Sequence, residues 1–451
     1  MKRKISILLV ACMSSFITPF LNSSINVVLP DMGKNLNLSA KTLSWIATSH
    51  LLSLSIFLLP FGKIGDIYGK RKIFLIGLLT HSLSSFFISI SSIPSLIIFF
   101  RLIPGIGSAM IFGMGLSILT EIFSPSERGK AFGINSASIY TGLSLGPLLG
   151  GILTKEFVLR SLFIFNSIFS FITAIYLILT LEKNFKTFKN EKFDFSGFLI
   201  YAFSLIALVY GFSTIKYSYG ILYFLIGVFG LILFINFENK IKAPLLEIDL
   251  FKKNPVFYFS NLATFINYTS TSGVNLLLSL YLQYIKGINP RETGIILLFQ
   301  PIVMVLVSPF SGRISDKINP GLVASFGMFI TFISLVLFTL LENSTKTSFI
   351  LINLILLGLG IGIFAPPNIN SVMSSVDRRF YSISASMIAT MRVLGHLFSL
   401  AIVTFILSSF IGGKNISEIN LNLLLKSIKV SFLLLTFLSL IGIFVSLKRK
   451  K

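Results

Sequence analysis

Residues 62–74 read GKIGDIYGKRKIF, a short stretch rich in glycine and basic residues between two long apolar runs. A related pattern occurs once more in the second half of the chain, where residues 312–316 read GRISD. Both copies have a glycine followed four residues later by an aspartate, and both end an apolar run. A motif repeated in this way indicates a membrane protein built from two related halves.

The composition favours a lipid environment. Of the 451 residues, 54% are hydrophobic and 12% are charged, about half of the roughly 25% charged residues that soluble domains contain. The net charge of +22 would suggest a nucleic-acid partner for a soluble protein. Here the basic residues form short clusters between apolar runs, as they do in membrane proteins. We therefore predict a lipid bilayer as the surroundings and no nucleic acid as a partner.

Apolar runs of about 20 residues, long enough to cross a bilayer, occur fourteen times along the chain. An even number of spans places both termini on the same side. If that side is the cytoplasm, most of the 38 lysines and arginines lie in or beside cytoplasmic segments, which is the usual bias of short loops. We predict a multi-pass protein of the cell membrane with both termini in the cytoplasm.

The position of the second motif gives the order of the spans. Two six-helix halves would place the motif after spans two and eight, but the second copy follows span ten. Two additional helices, at residues 196–237, therefore lie between the halves. The predicted fold is all-α, with six-helix bundles at residues 1–181 and 256–451 and the two additional transmembrane helices within a linker at 182–255.

Several further segments resemble the major facilitator superfamily and, within it, the fourteen-helix drug:proton antiporters. Besides residues 62–74, these are FLNSSINVVLP at 20–30, WIATSHLL at 45–52, RLIPGIG at 101–107, GPLLGG at 146–151 and PLLEIDLF at 244–251. They occur in the order of that family and extend over nearly the whole chain. The resemblance implies a monomeric transporter with two rocking halves. It would export small amphiphilic, drug-like compounds in exchange for protons and need no cofactor.

The repeated motif is expected to act as a latch between the halves. A carboxylate at a helix N-terminus is attracted by the helix dipole and by nearby cations, and such a contact can break when two halves rock. The alternative is an ordinary helix cap with no switching role. Ile67 and Lys70 stand where the family usually has arginines. The residues assigned to the latch are Gly62, Asp66, Gly69, Arg71, Gly312 and Asp316.

Proton coupling needs a group that titrates, and the sequence has no carboxylate near the middle of a span. Asn22 stands where the family often has an aspartate, and an amide carries no proton at ordinary pH. By resemblance, Arg101 in the fourth span takes part in coupling, unless it extends to the lipid headgroups. The candidates for coupling are Arg101, the span-end carboxylates Asp31 and Glu121, and His50, since histidine titrates near neutrality.

A glycine-rich segment in the fifth span resembles the antiporter motif of the family. Gly142, Gly146 and Gly150 share one helix face, where the missing side chains allow close approach of another backbone. Pro147 removes a helix hydrogen bond and favours a bend. With Gly151, these residues predict a hinge that packs tightly between the halves. The alternative is an ordinary contact between helices through small residues.

Polar residues within spans are the candidates for a substrate cavity. Asn22 and Asn26 lie one helical turn apart in the first span, and Arg392 and His396 lie one turn apart in the thirteenth. Arginines without an acid in the middle of a span do not form an obvious site for cations. An anionic or neutral substrate is therefore at least as compatible with the sequence.

Several other functions are alternatives to drug export. Within transport, the alternative is an exporter of one specific metabolite or lipid. A non-transporting membrane sensor is a second alternative, although such proteins usually carry an appended soluble domain. The sequence has no paired His-x-x-Glu motif, nucleophile elbow or phosphate-binding loop, so we predict no enzyme. The three histidines are far apart in sequence, which argues against a metal site.

Overall fold

A computed structural model of the chain describes residues 2–35, 40–91, 93–157, 160–182, 184–185, 191–214, 218–411 and 421–449. Every regular element within these ranges is helical. Twelve of the described helices are long and apolar enough to cross a membrane. Two further elements could also cross it: the long helix Pro125–Phe157, and the helix that is interrupted between Pro255–Thr271 and Val274–Leu280. The candidate membrane helices therefore number twelve to fourteen.

The first six helices pack on one another and form what we call the first bundle. They are α1 (Lys2–Asn35), α2 (Ala40–Tyr68), α3 (Lys70–Ile90), α4 (Pro94–Ile122), α5 (Pro125–Phe157) and α6 (Ser161–Thr180). The main pairs are α1 with α5, α2 with α4, and α3 with α4 and α6. Serine hydroxyls add hydrogen bonds between these helices. For example, the Ser82 hydroxyl of α3 donates to the Ser167 carbonyl of α6 at 2.9 Å.

The last helices form the second bundle. They are α10 (Pro255–Thr271), α11 (Val274–Leu280), a π-helical turn (Tyr281–Ile285), α12 (Pro290–Leu297), α13 (Phe299–Ser315), α14 (Pro320–Thr339), α15 (Thr347–Ser374), a 3₁₀ turn (Arg378–Phe380), α16 (Tyr381–Ile411) and α17 (Leu421–Leu447). A short amphipathic helix, α9 (Ile248–Lys253), precedes α10. The break between α10 and α11 lies at Gly273, whose N–H donates to the Ser399 hydroxyl at 2.8 Å.

The dipeptide Asn-Pro begins three helices of the second bundle. Asn254, Asn289 and Asn319 precede α10, α12 and α14, and each side chain accepts a hydrogen bond from a backbone N–H of the first turn. Asparagine is among the preferred residues for this position. The proline that follows has a φ angle suited to a helix and lacks an N–H that would otherwise go unbonded. The local sequence thus explains where these helices start.

Two helices, α7 (Phe195–Ser213) and α8 (Ser218–Glu238), follow the first bundle and pack on each other. Helix α7 also contacts α2, and the Tyr201 hydroxyl donates to the Ser55 carbonyl at 3.2 Å. The segment before α7 is tied to α2 by an ion pair between buried Lys63 and Glu191, 2.7 Å apart. Most of α8 faces outward with large apolar side chains, as a helix in contact with lipid does.

Candidate transport site

The two bundles are joined at one end by Asp66, which lies in the last turn of α2 and not at a helix N-terminus as predicted. Asp66 is fully buried, and its Oδ1 accepts a hydrogen bond from the Ser382 hydroxyl at 2.7 Å. Ser382 lies in the first turn of α16, so this bond connects the first bundle to the second. Asp316 lies at the same end, where α5 begins and α13 ends. We call this end of the molecule the motif end.

A chain of charges continues from Asp66 across the two bundles. Lys70, also fully buried, has its Nζ 3.6 Å from Asp66 Oδ1 and 2.9 Å from Glu121 Oε1. The other Glu121 oxygen accepts from Arg378 Nε of the second bundle at 2.5 Å. Arg378 is 68% exposed, whereas Lys70 and Glu121 are at most 3% exposed. Breaking the inner ion pair would therefore leave a charge buried, whereas Arg378 can return to solvent.

Asp316 forms the second contact between the bundles. Its two carboxylate oxygens accept hydrogen bonds from the backbone N–H groups of Gly129 and Lys130, at 2.6 and 2.9 Å. These N–H groups lie near the N-terminus of α5, where the helix dipole favours a negative charge. Burial raises the pKa of Asp316 above its ordinary value of 3.8, although the two N–H bonds act against that rise. The nearby charge of Glu127 adds to it.

Glycines allow α5 and α13 to come close enough for this contact. A Cβ atom on Gly312 would overlap the carbonyl oxygen of Gly129, and one on Gly133 would overlap the carbonyl oxygen of Ser308. The obstructing atoms are backbone atoms, which cannot move aside as a flexible side chain can. Close packing of these two helices therefore depends on glycine at both positions.

Tyr381 fills the space between the two contacts. Its hydroxyl accepts a hydrogen bond from Arg128 Nη2 at 2.8 Å, and the Arg128 guanidinium carbon lies 5.2 Å from the centre of the ring. Lys70 Nζ lies 5.7 Å from the same ring centre. Two cations of the first bundle thus lie near one ring of the second bundle, at distances typical of cation–π interactions.

The structure brings together only part of the predicted latch. Gly62 lies against α16, since a Cβ atom there would meet the Ser386 hydroxyl at 2.6 Å. Gly69 has a φ of 110°, which favours glycine, in the turn between α2 and α3. Arg71 points away from the second bundle and reaches the Ile178 carbonyl of α6 at 3.4 Å. Arg71 therefore makes no part of the contact between bundles.

A small cavity of about 30 Å³ lies between the bundles. It is lined by Ser15, Ile111, Phe112, Leu116, Asn135, Ile139, Ile369, Ala385, Ile388, Ala389 and Arg392. The Arg392 guanidinium carbon lies 4.8 Å from the centre of the Phe112 ring, and the Ser15 hydroxyl donates to Asn135 Oδ1 at 2.9 Å. Arg392 lies eleven residues into α16, about 16 Å from its start at 1.5 Å per residue. The cavity is thus near mid-membrane depth.

The other predicted cavity residues do not line this space. Asn22 on α1 and His396 on α16 are half-buried but lie outside the lining. Asn26 falls in a part of α1 whose side chains the structure does not describe, as does Asp31, the carboxylate considered for proton coupling. Phe112 and Asn135 could not be predicted as cavity residues, because no neighbouring motif distinguishes this phenylalanine from the 47 in the chain or this asparagine from the many others.

A second polar cluster is buried inside the first bundle. Arg101 is fully buried, so it does not extend to the headgroups, and its Nε donates to the Ile46 carbonyl at 3.1 Å. Neither terminal nitrogen of Arg101 has a hydrogen-bond partner among the described residues, and the same is true of both ring nitrogens of His50. The His50 and His81 rings are 6.4 Å apart. His81 in turn lies 3.2 Å from the Asn166 amide.

The predicted hinge packs inside the first bundle rather than between the halves. A Cβ atom on Gly142 would meet the Phe16 carbonyl oxygen at 2.7 Å, and one on Gly146 would meet the Phe20 carbonyl oxygen at 2.8 Å. Both carbonyls belong to α1. Pro147 lies inside α5, which continues past it. Gly150 and Gly151 fall in the part of α5 whose side chains are not described.

We expect Asp316 to make closure of the motif end dependent on pH. Because burial raises its pKa when the end is closed, the closed state holds a proton more tightly than an open state with a solvated carboxylate. Closure is therefore favoured as the pH falls through the raised pKa, and this gain is complete below 3.8. We expect Asp316→Asn to lack this contribution.

The test is the closed fraction, measured from spin-label distances between the bundles at the motif end at several pH values. Other carboxylates titrate too, so the informative quantity is the difference between wild type and Asp316→Asn. The expected result is a steeper increase of the closed fraction on acidification in the wild type. Identical pH profiles for the two proteins would contradict the assignment.

Apolar helices in two bundles, a polar contact at one end and a cavity at mid-depth are the features of a multi-pass membrane transporter. The sequence model described as Major Facilitator Superfamily matches residues 11–399 and 260–451, and the chain belongs to that family. Members of this family are transporters and not enzymes, so the prediction that the chain is no enzyme is confirmed.

The proteins to which this chain is similar agree with this assignment. The riboflavin transporter RibZ of Clostridioides difficile is 30% identical over 419 residues, which cover 91% of this chain and 89% of RibZ. The tetracenomycin C resistance and export protein of Streptomyces glaucescens is 24% identical, covering 85% of this chain and 72% of that protein. The solved structure of the human organic anion transporter MFSD10 has the same fold, with a TM-score of 0.72 at 14% identity over 98% of this chain and 99% of that one.

Proposed function

We propose that the protein is a secondary active transporter that exports small amphiphilic compounds from the cell in exchange for protons. The observation that carries the proposal is the polar contact at the motif end, where Asp66 and Asp316 each bond to the opposite bundle. Both carboxylates belong to the repeated motif, so the same sequence signal supplies both contacts. Export is also the activity named for the tetracenomycin C resistance and export protein, to which this chain is similar.

Orientation follows from the charges. In this proposal the motif end faces the cytoplasm, together with both chain termini, because the basic residues concentrate there. The bundles correspond to residues 1–181 and 256–451. Residues 182–255 form a linker that contains the additional pair α7 and α8. The chain acts as a monomer with its substrate path between the bundles.

Transport would proceed by opening and closing this contact. With the motif end closed, the cavity at Arg392 has room for little more than water. Substrate from the cytoplasm would reach it only after the bonds of Asp66 and Asp316 to the opposite bundle break. The partly exposed bonds, such as that of Arg378 to Glu121, cost little to break, because the freed side chain is solvated.

Protonation gives a way to couple this movement to an ion. Glu121 is held by a buried lysine and by Arg378 of the other bundle, so a proton on Glu121 would weaken both ion pairs. His50 is the second candidate carrier, because neither of its ring nitrogens has a hydrogen-bond partner among the described residues. No described span has an acid near its middle. These groups would therefore take the role of the aspartate that the family often has at the position of Asn22.

One observation favours a second candidate function, the transport of one specific metabolite. The riboflavin transporter RibZ aligns over 91% of this chain at 30% identity, higher than the 24% identity to the tetracenomycin C resistance and export protein. A narrow substrate range would use the same fold and the same contact at the motif end. The two functions differ in how many unrelated compounds are moved.

Efflux from cells that lack their own drug exporters tests the proposal. We expect loss of a lipophilic fluorescent dye to be faster with this protein than without it, and to slow when a protonophore is added. Arg101→Ala should reduce efflux by about tenfold or more, because an arginine buried within a span is costly unless it has a function. Arg71→Ala, outside the contact between bundles, is the matched control and should retain efflux.

Two outcomes would contradict the proposal. Efflux that is unaffected by the protonophore would exclude proton exchange as the driving reaction. No efflux of any compound in a chemically varied panel, with the protein confirmed in the membrane, would exclude broad export. Efflux of riboflavin-like compounds alone would support the narrower function instead.

A further inference from the structure

We propose that the cavity between the bundles binds the anionic group of an aromatic substrate, with Arg392 as the residue that recognises the charge. This inference rests on the proposed function, because it assumes that substrates pass through this cavity. It adds the chemical class of the substrate, an amphiphile with a carboxylate, sulfonate or phosphate on an aromatic body.

The charge balance of the cavity is the first reason. Arg392 is the single charged residue among the eleven lining residues, and no carboxylate is among them. Among the described residues, the titratable side chains beside it include Tyr140 of α5, Tyr268 of α10 and His396 of α16, and none of these is a carboxylate. A cation at this depth without a counter-charge attracts anions and repels cations.

The orientation of Arg392 is the second reason. Its guanidinium lies over the Phe112 ring at 4.8 Å, which holds one face of the group in place. The contact leaves the edge of the planar guanidinium uncovered, and that edge is a fork of N–H donors suited to two parallel hydrogen bonds with an oxyanion. No hydrogen bond of the structure uses those donors within the described part of the chain. The fork is thus available to a ligand.

The remaining lining suits an aromatic body. Ile139, Ile369 and Ile388 provide apolar walls, and the hydrogen-bonded pair of Ser15 and Asn135 supplies a polar group. An aromatic ring could pack between these walls while its anionic substituent reaches the guanidinium. Ligand sites commonly combine an apolar lining with a few polar groups that fix orientation.

The cavity must enlarge before such a ligand can enter. Its volume of about 30 Å³ is well below the roughly 300 Å³ at which ligand sites usually begin. Arg392, on α16, and Phe112, on α4, belong to different bundles, so opening of the motif end would separate them. Substrate would then replace the ring as a neighbour of the guanidinium in the open state.

Equilibrium binding to the purified full-length protein in lipid nanodiscs tests the inference without requiring transport. The probes are fluorescein, an anion, and rhodamine 6G, a cation with the same xanthene ring system, measured by fluorescence anisotropy. We expect fluorescein to bind more tightly than rhodamine 6G. Arg392→Gln should weaken fluorescein binding by about tenfold or more, and should leave rhodamine 6G binding unchanged or tighter.

A second variant separates recognition of the anion from packing. Arg392→Lys keeps the charge but loses the planar fork, so fluorescein binding should be weakened less than in Arg392→Gln. If Arg392 only packed on Phe112, each substitution would change the binding of fluorescein and of rhodamine 6G to the same extent. Size-exclusion profiles confirm that each variant is folded, and Gly294→Ala, with open space around it, is the neutral control.

Failure of the inference can be told apart from failure of the proposed function. Tighter binding of rhodamine 6G than of fluorescein by the wild type, with dye efflux from cells intact, would overturn the anionic substrate class alone. Fluorescein binding that depends on Arg392, in a protein that moves neither dye, would uphold the anion site and overturn export. Equal binding of both dyes by wild type and Arg392→Gln would also overturn the anion site.

Discussion

Replacement of Lys70 by methionine is expected to destabilise the protein by about 3–5 kcal/mol, the usual cost of removing one partner from a buried ion pair. Lys70 is fully buried, with Asp66 at 3.6 Å and Glu121 at 2.9 Å. Without its ammonium group, two carboxylates would face each other in the interior and repel each other. Methionine fills a similar volume, so lost packing contributes little to the effect.

Thermal unfolding in detergent measures this loss of stability. The readout is the amount of monodisperse protein that remains after heating. The matched control is Lys72→Met, two residues away on the same helix but exposed, which should change stability by about 0.5 kcal/mol or less. The double variant Lys70→Met with Glu121→Gln should recover part of the loss, because it removes one of the two buried carboxylate charges that lose the lysine. Equal melting temperatures for Lys70→Met and Lys72→Met would show that the buried pair contributes nothing.

Replacement of Gly312 by alanine is expected to hold the motif end open and to reduce efflux by about tenfold or more, which corresponds to roughly 1.4 kcal/mol. The new Cβ atom would overlap the Gly129 carbonyl oxygen, a backbone atom that cannot rotate away. Helix α13 would then have to move from α5, which would break the hydrogen bonds of Asp316. In the open state the substitution has no such cost.

A spin-label distance across the motif end reports this change directly. Labels at Lys72 and Arg379, both exposed and in opposite bundles, can be introduced after replacing the single cysteine, Cys12. The expected result is a longer distance in Gly312→Ala than in the wild type. Gly294→Ala in the same bundle has open space around it and should leave the distance unchanged. Unchanged distance and full efflux in Gly312→Ala would contradict the role of this close contact.

The general architecture could be predicted because it depends on local signals. Apolar runs of membrane length, the repeated motif and the segments that resemble the superfamily are all properties of short stretches of sequence. The family assignment from those segments is confirmed by the family match. The twelve to fourteen candidate membrane helices agree with the predicted number within that range. The two additional helices between the halves stay a prediction.

Contacts between distant segments could not be predicted in the same way. Helical periodicity placed Gly142 and Gly146 on one face, but it cannot say which helix covers that face, and α1 covers it. Ser382 bonds to Asp66, 316 residues away in sequence, although nothing in its neighbourhood marks it among many serines. The pairing of Lys70 with Glu121 likewise depends on the register of α3 against α4.

Arg101 shows how burial decides between alternatives that sequence leaves open. Its position near the end of a span allowed the side chain to reach the headgroups, but the structure encloses it between α2 and α4. Its association with His50 and His81 could not be read from spacing, because the three residues come from different helices.

The most direct test of proton-coupled export uses purified protein in liposomes loaded with a pH-sensitive dye and given an imposed pH gradient. Added substrate should accumulate against its own gradient while protons move the opposite way, and Arg101→Ala liposomes should show neither flux. Substrate movement that stops at equal concentrations on both sides, or that leaves the internal pH unchanged, would contradict an exporter driven by protons.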